Sequence, residues 1–182
     1  MSVILTASGV GFDFLRPNPG LVDIQDIAHA LANLCRFTGH TSTFYSVAQH
    51  SVGASHLVPG EFALEALLHD ASEAYLGDVS TPLKALLPEY RKVECGVQQA
   101  ICRRFGVQTA ESGYVKEADM EMLRAERRIL IPRNDAIWPL SPIDNAGIGH
   151  LVFPTWAPGQ AEAEFLKRFN FLTRATPGGK YD

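Results

Sequence analysis

Apolar and polar positions alternate on two different periods along this chain. Residues 3–15, VILTASGVGFDFL, hold two short β-favouring runs around Ser8-Gly9, which predicts a β-hairpin. RPNPG at 16–20 breaks the chain. From Asp23 the period becomes helical: Ile24, Ile27, Ala28, Leu31, Leu34 and Cys35 share one face, with Asp23 placed as the cap and Gly39 as the stop. A second helix is expected from about Phe44 to Leu57, ending before Pro59-Gly60. The third, EFALEALLHDASEAYL over 61–76, is apolar nearly all round and reads as the buried central helix, closed by Gly77.

After DVSTPLK, whose proline suits a short turn, a fourth helix is expected over 89–105, with Val93, Val97, Ile101 and Phe105 on one face and Gly106 as its stop. A fifth spans about 114–130. Residues 131–157, rich in Pro, Trp, Asn and Gly, carry no sustained period and read as a long ordered loop of the kind that often serves function. A last helix runs from about Pro158 to Leu172, and the tail TPGGKYD reads as loose. The expected fold class is mainly α with a short N-terminal β-hairpin, in a single domain over residues 1–182.

Composition narrows this picture. The chain has 182 residues, of which 46% are apolar and 20% charged, values that exclude disorder, collagen and coiled coil. The net charge of -4 offers no basic footprint for polymeric nucleic acid, although a local basic pocket for a small anion is compatible with it. No apolar run approaches the roughly 18 residues of a membrane helix, and MSVILTASGV, without a basic stretch ahead of a long apolar segment, is not expected to act as a secretion signal. A cytoplasmic protein with no membrane partner is expected. Cys35, Cys95 and Cys102 form no CxxC pair. Cys95 and Cys102, seven apart on one helix, would sit about 10.5 Å apart, beyond disulfide reach, so all three read as reduced thiols.

Chemistry concentrates on the expected central helix. His69, Asp70 and Glu73 lie within five positions amid apolar neighbours, and Glu73 is i+4 from His69 and i+3 from Asp70. Buried charge is costly unless paired or metal-bound. His50, in YSVAQHS, is flanked by Val47 and Ala54 at helical spacing and so faces inward. Asp119, in KEADMEMLRAERR, shares a helix whose buried side is marked by Met122 and Leu123. Two imidazoles and two carboxylates on three inward faces can make one N/O site for a divalent transition metal, but spacing alone does not make them converge. A core histidine hydrogen-bonded to a carbonyl remains the other reading of His69. Arg124, Arg127 and Arg128 read as a salt-bridged face with Glu121 and Glu126. His29, His56 and His150 have no motif support, and His40, which follows Arg36 by four and so has a route into the pocket, reads first as a loop histidine.

The pattern of a His, a His-Asp pair and a distant Asp resembles the HD-domain phosphohydrolase superfamily. DIAHALANLCRFTGH, FYSVAQHSV, ALLHDASEAYLGD, TPLKALLPEY and ADMEML…ERR are similar to the prophage-encoded YfdR-type hydrolases, over about residues 24–130 and into segments near the C-terminus. HDASEAYLGDVSTPLK is also similar to the YfbR-type 5′-deoxynucleotidases and the phage dATP triphosphohydrolases.

The resemblance implies an HD-domain helical fold with one divalent metal (Zn, Mn, Co or Fe) held by His50, His69, Asp70 and Asp119. Glu73 matches the residue that holds the attacking water, with Asp70 shared between metal and catalysis. Arg36 matches a phosphate-binding arginine, Phe37 an aromatic at the nucleoside, Asp78 an aspartate near the sugar and Lys84 a lysine of the dATP-hydrolysing branch. Packing for Phe37, a cap or Asx-turn for Asp78 and an ordinary solvated cation for Arg36 or Lys84 stay open beside those roles.

The expected substrate is a small-molecule nucleotide, and a homo-oligomer is expected by resemblance. A 5′-deoxynucleotidase leads, with a deoxynucleoside triphosphate triphosphohydrolase as its rival and a catalytically retired nucleotide-binding module as the alternative of another class. Ala74 after Glu73 disfavours a guanosine tetraphosphate hydrolase, and the lack of a GYP motif disfavours a cyclic dinucleotide phosphodiesterase.

Overall fold

The computed structural model describes residues 2–109, 111–134, 137 and 146–174. β1 (Val3–Leu5) and β2 (Gly11–Asp13) pair antiparallel, Ile4 opposite Phe12, with Gly9 at φ 83° in the connecting turn. The remaining elements are helical: α1 (Ile24–Asn33), α2 (Val47–His56), α3 (Ala63–Leu68), α4 (Glu73–Leu76), α5 (Thr81–Lys84), α6 (Pro88–Phe105), α7 (Gly113–Leu130), α8 (Gly149–Val152) and α9 (Pro158–Arg174). The hairpin is fastened to this helical body at two points. Phe12, fully buried, stacks on Tyr75 with ring centroids 4.2 Å apart, a pairing worth about 0.5–1.5 kcal/mol beyond its burial. The Ser8 amide and hydroxyl each donate to the Asp26 carboxylate at 2.7 Å.

The buried central helix is α2, not the third helix as its composition suggests. α2 contacts α1, α3, α7, α8 and α9, and every residue from Val47 to Ser55 is buried. Its small residues Ala48, Ser51, Gly53, Ala54 and Ser55 explain this, because neighbours can approach it from all sides. At Gly53 the approach is closest: a Cβ there would lie 2.9 Å from Met122 Sδ of α7. Ser46 caps the helix, accepting from the Gln49 amide at 3.1 Å. The larger core gathers α1, α2, α3, α6 and α9, and a smaller one joins α2 to α7 and α8. α2 is therefore the wall shared by both.

Several boundaries differ from expectation, among them the start of α2 at Val47 and not Phe44. The predicted helix over 61–76 is interrupted: residues 69–72 form turns between α3 and α4, with i→i+3 bonds from Ala71 to Leu68 and from Glu73 to Asp70. The tighter winding falls on the His-Asp pair itself. The first helix stops at Asn33, not Gly39; Cys35 pairs with Ser46 as an isolated bridge, and Phe37–Gly39 form a 3₁₀ turn. Phe37 and Thr38 hold positive φ (56° and 55°), a conformation uncommon outside glycine. Residues 131–157 are not all loop, since Ala146–Ile148 form a 3₁₀ turn ahead of α8. The buried Gln49 tethers this segment: its amide nitrogen lies 3.3 Å from the carbonyls of Val152 and Pro154, and its oxygen accepts from the Trp156 amide at 2.8 Å. The tail TPGGKYD and residues 138–145 lie outside the described residues. α6 and α7 begin one residue before their expected starts, and Gly106 ends α6 in the left-handed conformation. Among the described residues no helix is long and apolar enough to cross a membrane. All three cysteines are free.

Candidate metal centre

His50 comes from the middle of α2, His69 and Asp70 from the tight turns after α3, and Asp119 from the second turn of α7. The ligand atoms of His50, His69 and Asp119 all lie within 4.8 Å of one another. His50 Nε2 is 3.2 Å from His69 Nε2 and 3.2 Å from Asp119 Oδ1, and His69 Nε2 is 3.9 Å from Asp119 Oδ1. Asp70 Oδ2 lies 3.2 Å from His69 Nε2 and 3.6 Å from His50 Nε2. Ligand atoms about 2.1 Å from a shared tetrahedral ion stand about 3.4 Å apart, so the separations among His50, His69 and Asp119 suit ligands around one ion, with Asp70 beside them.

Hydrogen bonding fixes which ring atoms face the cluster. His69 Nδ1 lies 2.7 Å from the Ala66 carbonyl, which only accepts, so Nδ1 carries the proton. His50 Nδ1 donates to Glu126 Oε1 at 2.6 Å. In the neutral rings both Nε2 atoms then present lone pairs to each other and to two carboxylates. Such a donor set calls for a positive charge at its centre, and its N₂O₂ chemistry suits a divalent transition metal. The protonation equilibria express the same demand. Burial opposes charge on His69, but Asp70 and Asp119 outweigh it and raise its pKa to about 10. Burial and Arg36 oppose charge on His50, and Glu126 and Asp119 outweigh them.

Glu126 is the residue that sequence reasoning misassigned. It does not belong to a surface face with the arginines: its side chain is fully buried, with Oε1 on His50 and Oε2 accepting from Arg36 Nε at 3.1 Å. Burial would raise its pKa, but Arg36 and His50 hold it below the usual range, so it is an ionised carboxylate. It also faces the buried hydroxyl of Tyr45. The signal lay in its spacing, since Glu126 follows the inward Met122 by four and Asp119 by seven. Of the expected face, the Arg124–Glu121 pair at 3.4 Å is present.

Arg36 stands in extended backbone after α1, at the start of the 3₁₀ turn, and is nearly buried. Its Nη1 also lies 3.4 Å from Asp70 Oδ2, and its guanidinium sits 5.5 Å from the centroid of the Phe37 ring. Glu73 is 5% exposed; Oε1 accepts from Lys84 Nζ at 3.2 Å, while Oε2 is buried and has no partner among the described residues. Burial, then Asp70 and Asp78, push the Glu73 pKa up to about 9. Lys84 is not a free cation, because Glu94 accepts from the same ammonium at 2.6 Å. Asp78 is half-buried; burial raises its pKa while Arg36 pulls it down.

A cleft of about 330 Å³ opens beside the cluster, walled by His69, Asp70, Asp119, Lys84, Glu94 and Arg91 among others. Arg36, Phe37, Glu73 and Asp78 are not among its walls. Of the residues that the sequence singled out, the structure therefore brings His50, His69, Asp70, Asp119 and Arg36 together. Glu73 and Lys84 form an adjoining pair.

Three relatives are similar to the chain over most of its length. The Escherichia coli protein YfdR, itself uncharacterized, is 46% identical over 173 residues, covering 95% of this chain and 97% of its own length. An uncharacterized protein of Rhodobacter capsulatus is 39% identical over 94% of the chain and 95% of its own length. A 5′-deoxynucleotidase of Photobacterium profundum is 25% identical over 88% of the chain and 74% of its own length. No family model matches the chain.

Proposed function

The chain belongs to the family of the Escherichia coli protein YfdR, and we propose that it is a metal-dependent phosphohydrolase of the HD-domain type, acting on nucleotides as a 5′-deoxynucleotidase. The observation that carries this reading is the convergence of His50, His69 and Asp119, with Asp70 beside them. The similarity to a 5′-deoxynucleotidase supplies the substrate class.

In this reading His50, His69, Asp70 and Asp119 hold one divalent ion, Zn, Mn, Co or Fe. When bound, such an ion polarises a phosphoryl oxygen and lowers the pKa of water from 15.7 toward about 7. The chain's own residues do the rest. Hydrolysis adds a water oxygen to phosphorus, releases the 5′ alcohol, and moves one proton from the water to the departing oxygen. Glu73 is assigned to orient that water and take its proton, and its unpartnered Oε2 leaves an acceptor for it. With its pKa near 9, Glu73 is protonated at neutral pH in the metal-free chain. Coordination of Asp70 to such an ion would remove one of the fields that hold it there.

Arg36 is assigned to the phosphate, because its fork keeps donors beyond those given to Glu126 and Asp70. Phe37 and Asp78 are assigned to the nucleoside side. Lys84, held by two carboxylates, steadies Glu73 and adds positive potential to the cleft wall.

A second reading, release of triphosphate from a deoxynucleoside triphosphate, is favoured by one feature: the cleft beside the cluster continues to Arg91, a second cation at its wall. Both are tested by a panel of deoxy- and ribonucleoside 5′-mono- and triphosphates with Mn, Co, Zn and Mg, resolving phosphate from triphosphate. Phosphate from deoxynucleoside monophosphates is expected. Triphosphate as the product transfers the assignment to the second reading, and no product with any metal overturns both.

A further inference from the structure

We propose that Glu126 is a positioning residue that holds His50 in its metal-binding tautomer and Arg36 in its phosphate-binding pose with a single carboxylate. This rests on the metal and phosphate roles proposed above. The side chain is fully buried and its two oxygens have different tasks: Oε1 accepts from His50 Nδ1 at 2.6 Å, and Oε2 accepts from Arg36 Nε at 3.1 Å. The first bond keeps the His50 proton on Nδ1 and so keeps Nε2 open toward His69 and Asp119. The second orients a guanidinium whose Nη1 reaches Asp70. Each of the two positioned side chains is then one bond from Glu126 and in contact with the cluster.

Only an ionised carboxylate can accept at both oxygens. Glutamine of nearly the same shape accepts at one position and donates at the other. With its oxygen toward His50, its NH₂ meets the Arg36 N–H, donor against donor. With its NH₂ toward His50, it drives the ring proton to Nε2 and blocks the ligand atom. Glu126→Gln must therefore give up one partner and can keep the other. Glu126→Asp keeps both oxygens but is one methylene shorter, so it too can hold only one partner at these distances.

The test uses two probes that need no turnover, measured by calorimetry on the full chain: Mn²⁺ binding to metal-free protein, and inorganic phosphate binding at saturating Mn²⁺. In Glu126→Gln one of the two affinities is expected to fall by about 10–100-fold, the usual cost of losing an outer-shell partner. The other should stay within about threefold of wild type. If Glu126→Gln does not fold, Glu126→Asp is measured the same way, with the same split expected. Both affinities unchanged, or both falling together as for a merely structural residue, overturns the proposal. Wild-type protein that binds no Mn²⁺ instead contradicts the reading of the metal centre itself, so the two failures are distinguishable.

Discussion

The Nε2 atoms of His50 and His69 face each other at 3.2 Å, and each ring has already committed its Nδ1 proton, one to Glu126 and the other to the Ala66 carbonyl. As neutral rings held this way, the two imidazoles would set lone pair against lone pair, with the carboxylates of Asp70 and Asp119 adding negative charge; in the metal-free chain a proton on His69 relieves this. A shared cation turns this repulsion into coordination, and a proton does so less completely because it serves one nitrogen at a time.

Metal should therefore stabilise the folded chain. At a free Mn²⁺ concentration 100 times its Kd, the gain is about 2.7 kcal/mol by mass action. Thermal unfolding with and without Mn²⁺ checks this. His69→Ala and Asp119→Ala should lose the metal-dependent rise in Tm along with the bound ion, and an undiminished rise in either would remove that residue from the ligand set.

Arg36 binds two carboxylates, one of them fully buried. Arg36→Ala leaves the Glu126 charge without its cation, a change of the kind that costs about 3–5 kcal/mol. Arg36→Lys should fold better yet lose the planar fork, so its main effect on nucleotide hydrolysis should be a raised KM. Denaturant unfolding of both variants and steady-state kinetics of the lysine variant test this; unchanged KM in Arg36→Lys speaks against a phosphate role.

Glu73→Gln keeps size and a hydrogen-bonding group for Lys84 and removes the carboxylate proposed as the base. Turnover should fall by roughly 10²–10⁴-fold while Mn²⁺ content stays that of wild type. Wild-type turnover would make Glu73 structural, and loss of the metal would move it into the ligand set.

The same variant carries a pH signature in metal-free protein. Folded Glu73 keeps its proton up to about pH 9, whereas an ordinary glutamate loses it near 4.5. The unfolded chain then binds fewer protons across that window, so stability falls as pH rises through it. Asp70, whose pKa its histidine and arginine neighbours pull down against burial, titrates below the window. The Tm of Glu73→Gln relative to wild type should climb from pH 5 to pH 9; a constant difference contradicts the raised pKa.

Most helices were legible because apolar period and caps agree. Asp23 caps α1, accepting from the Gln25 amide at 2.7 Å, and Gly106 ends α6 where a left-handed residue was needed. The hairpin was legible from Ser8-Gly9. The importance of α2 was not, because a helix of small residues shows weak periodicity when every side is covered. The turns at 69–72 were hidden inside a sequence with helical propensity throughout. Among the site residues, His50, His69 and Asp119 were readable as inward-facing, and their meeting depends on how α2, α3 and α7 pack. Glu126 was misread because a glutamate among arginines resembles a solvated face, and only the approach of His50 and Arg36 from two other segments gives it buried partners.

The most direct test of the whole account is phosphate release from deoxynucleoside 5′-monophosphates measured against metal occupancy, in one preparation stripped with chelator and reloaded stepwise with Mn²⁺. The expected rate is zero without metal, rises in proportion to bound ion, and levels off at one ion per chain. Hydrolysis that persists in the stripped protein, or its absence at full occupancy, would contradict the assignment of His50, His69, Asp70 and Asp119 as the metal centre of a nucleotide phosphohydrolase.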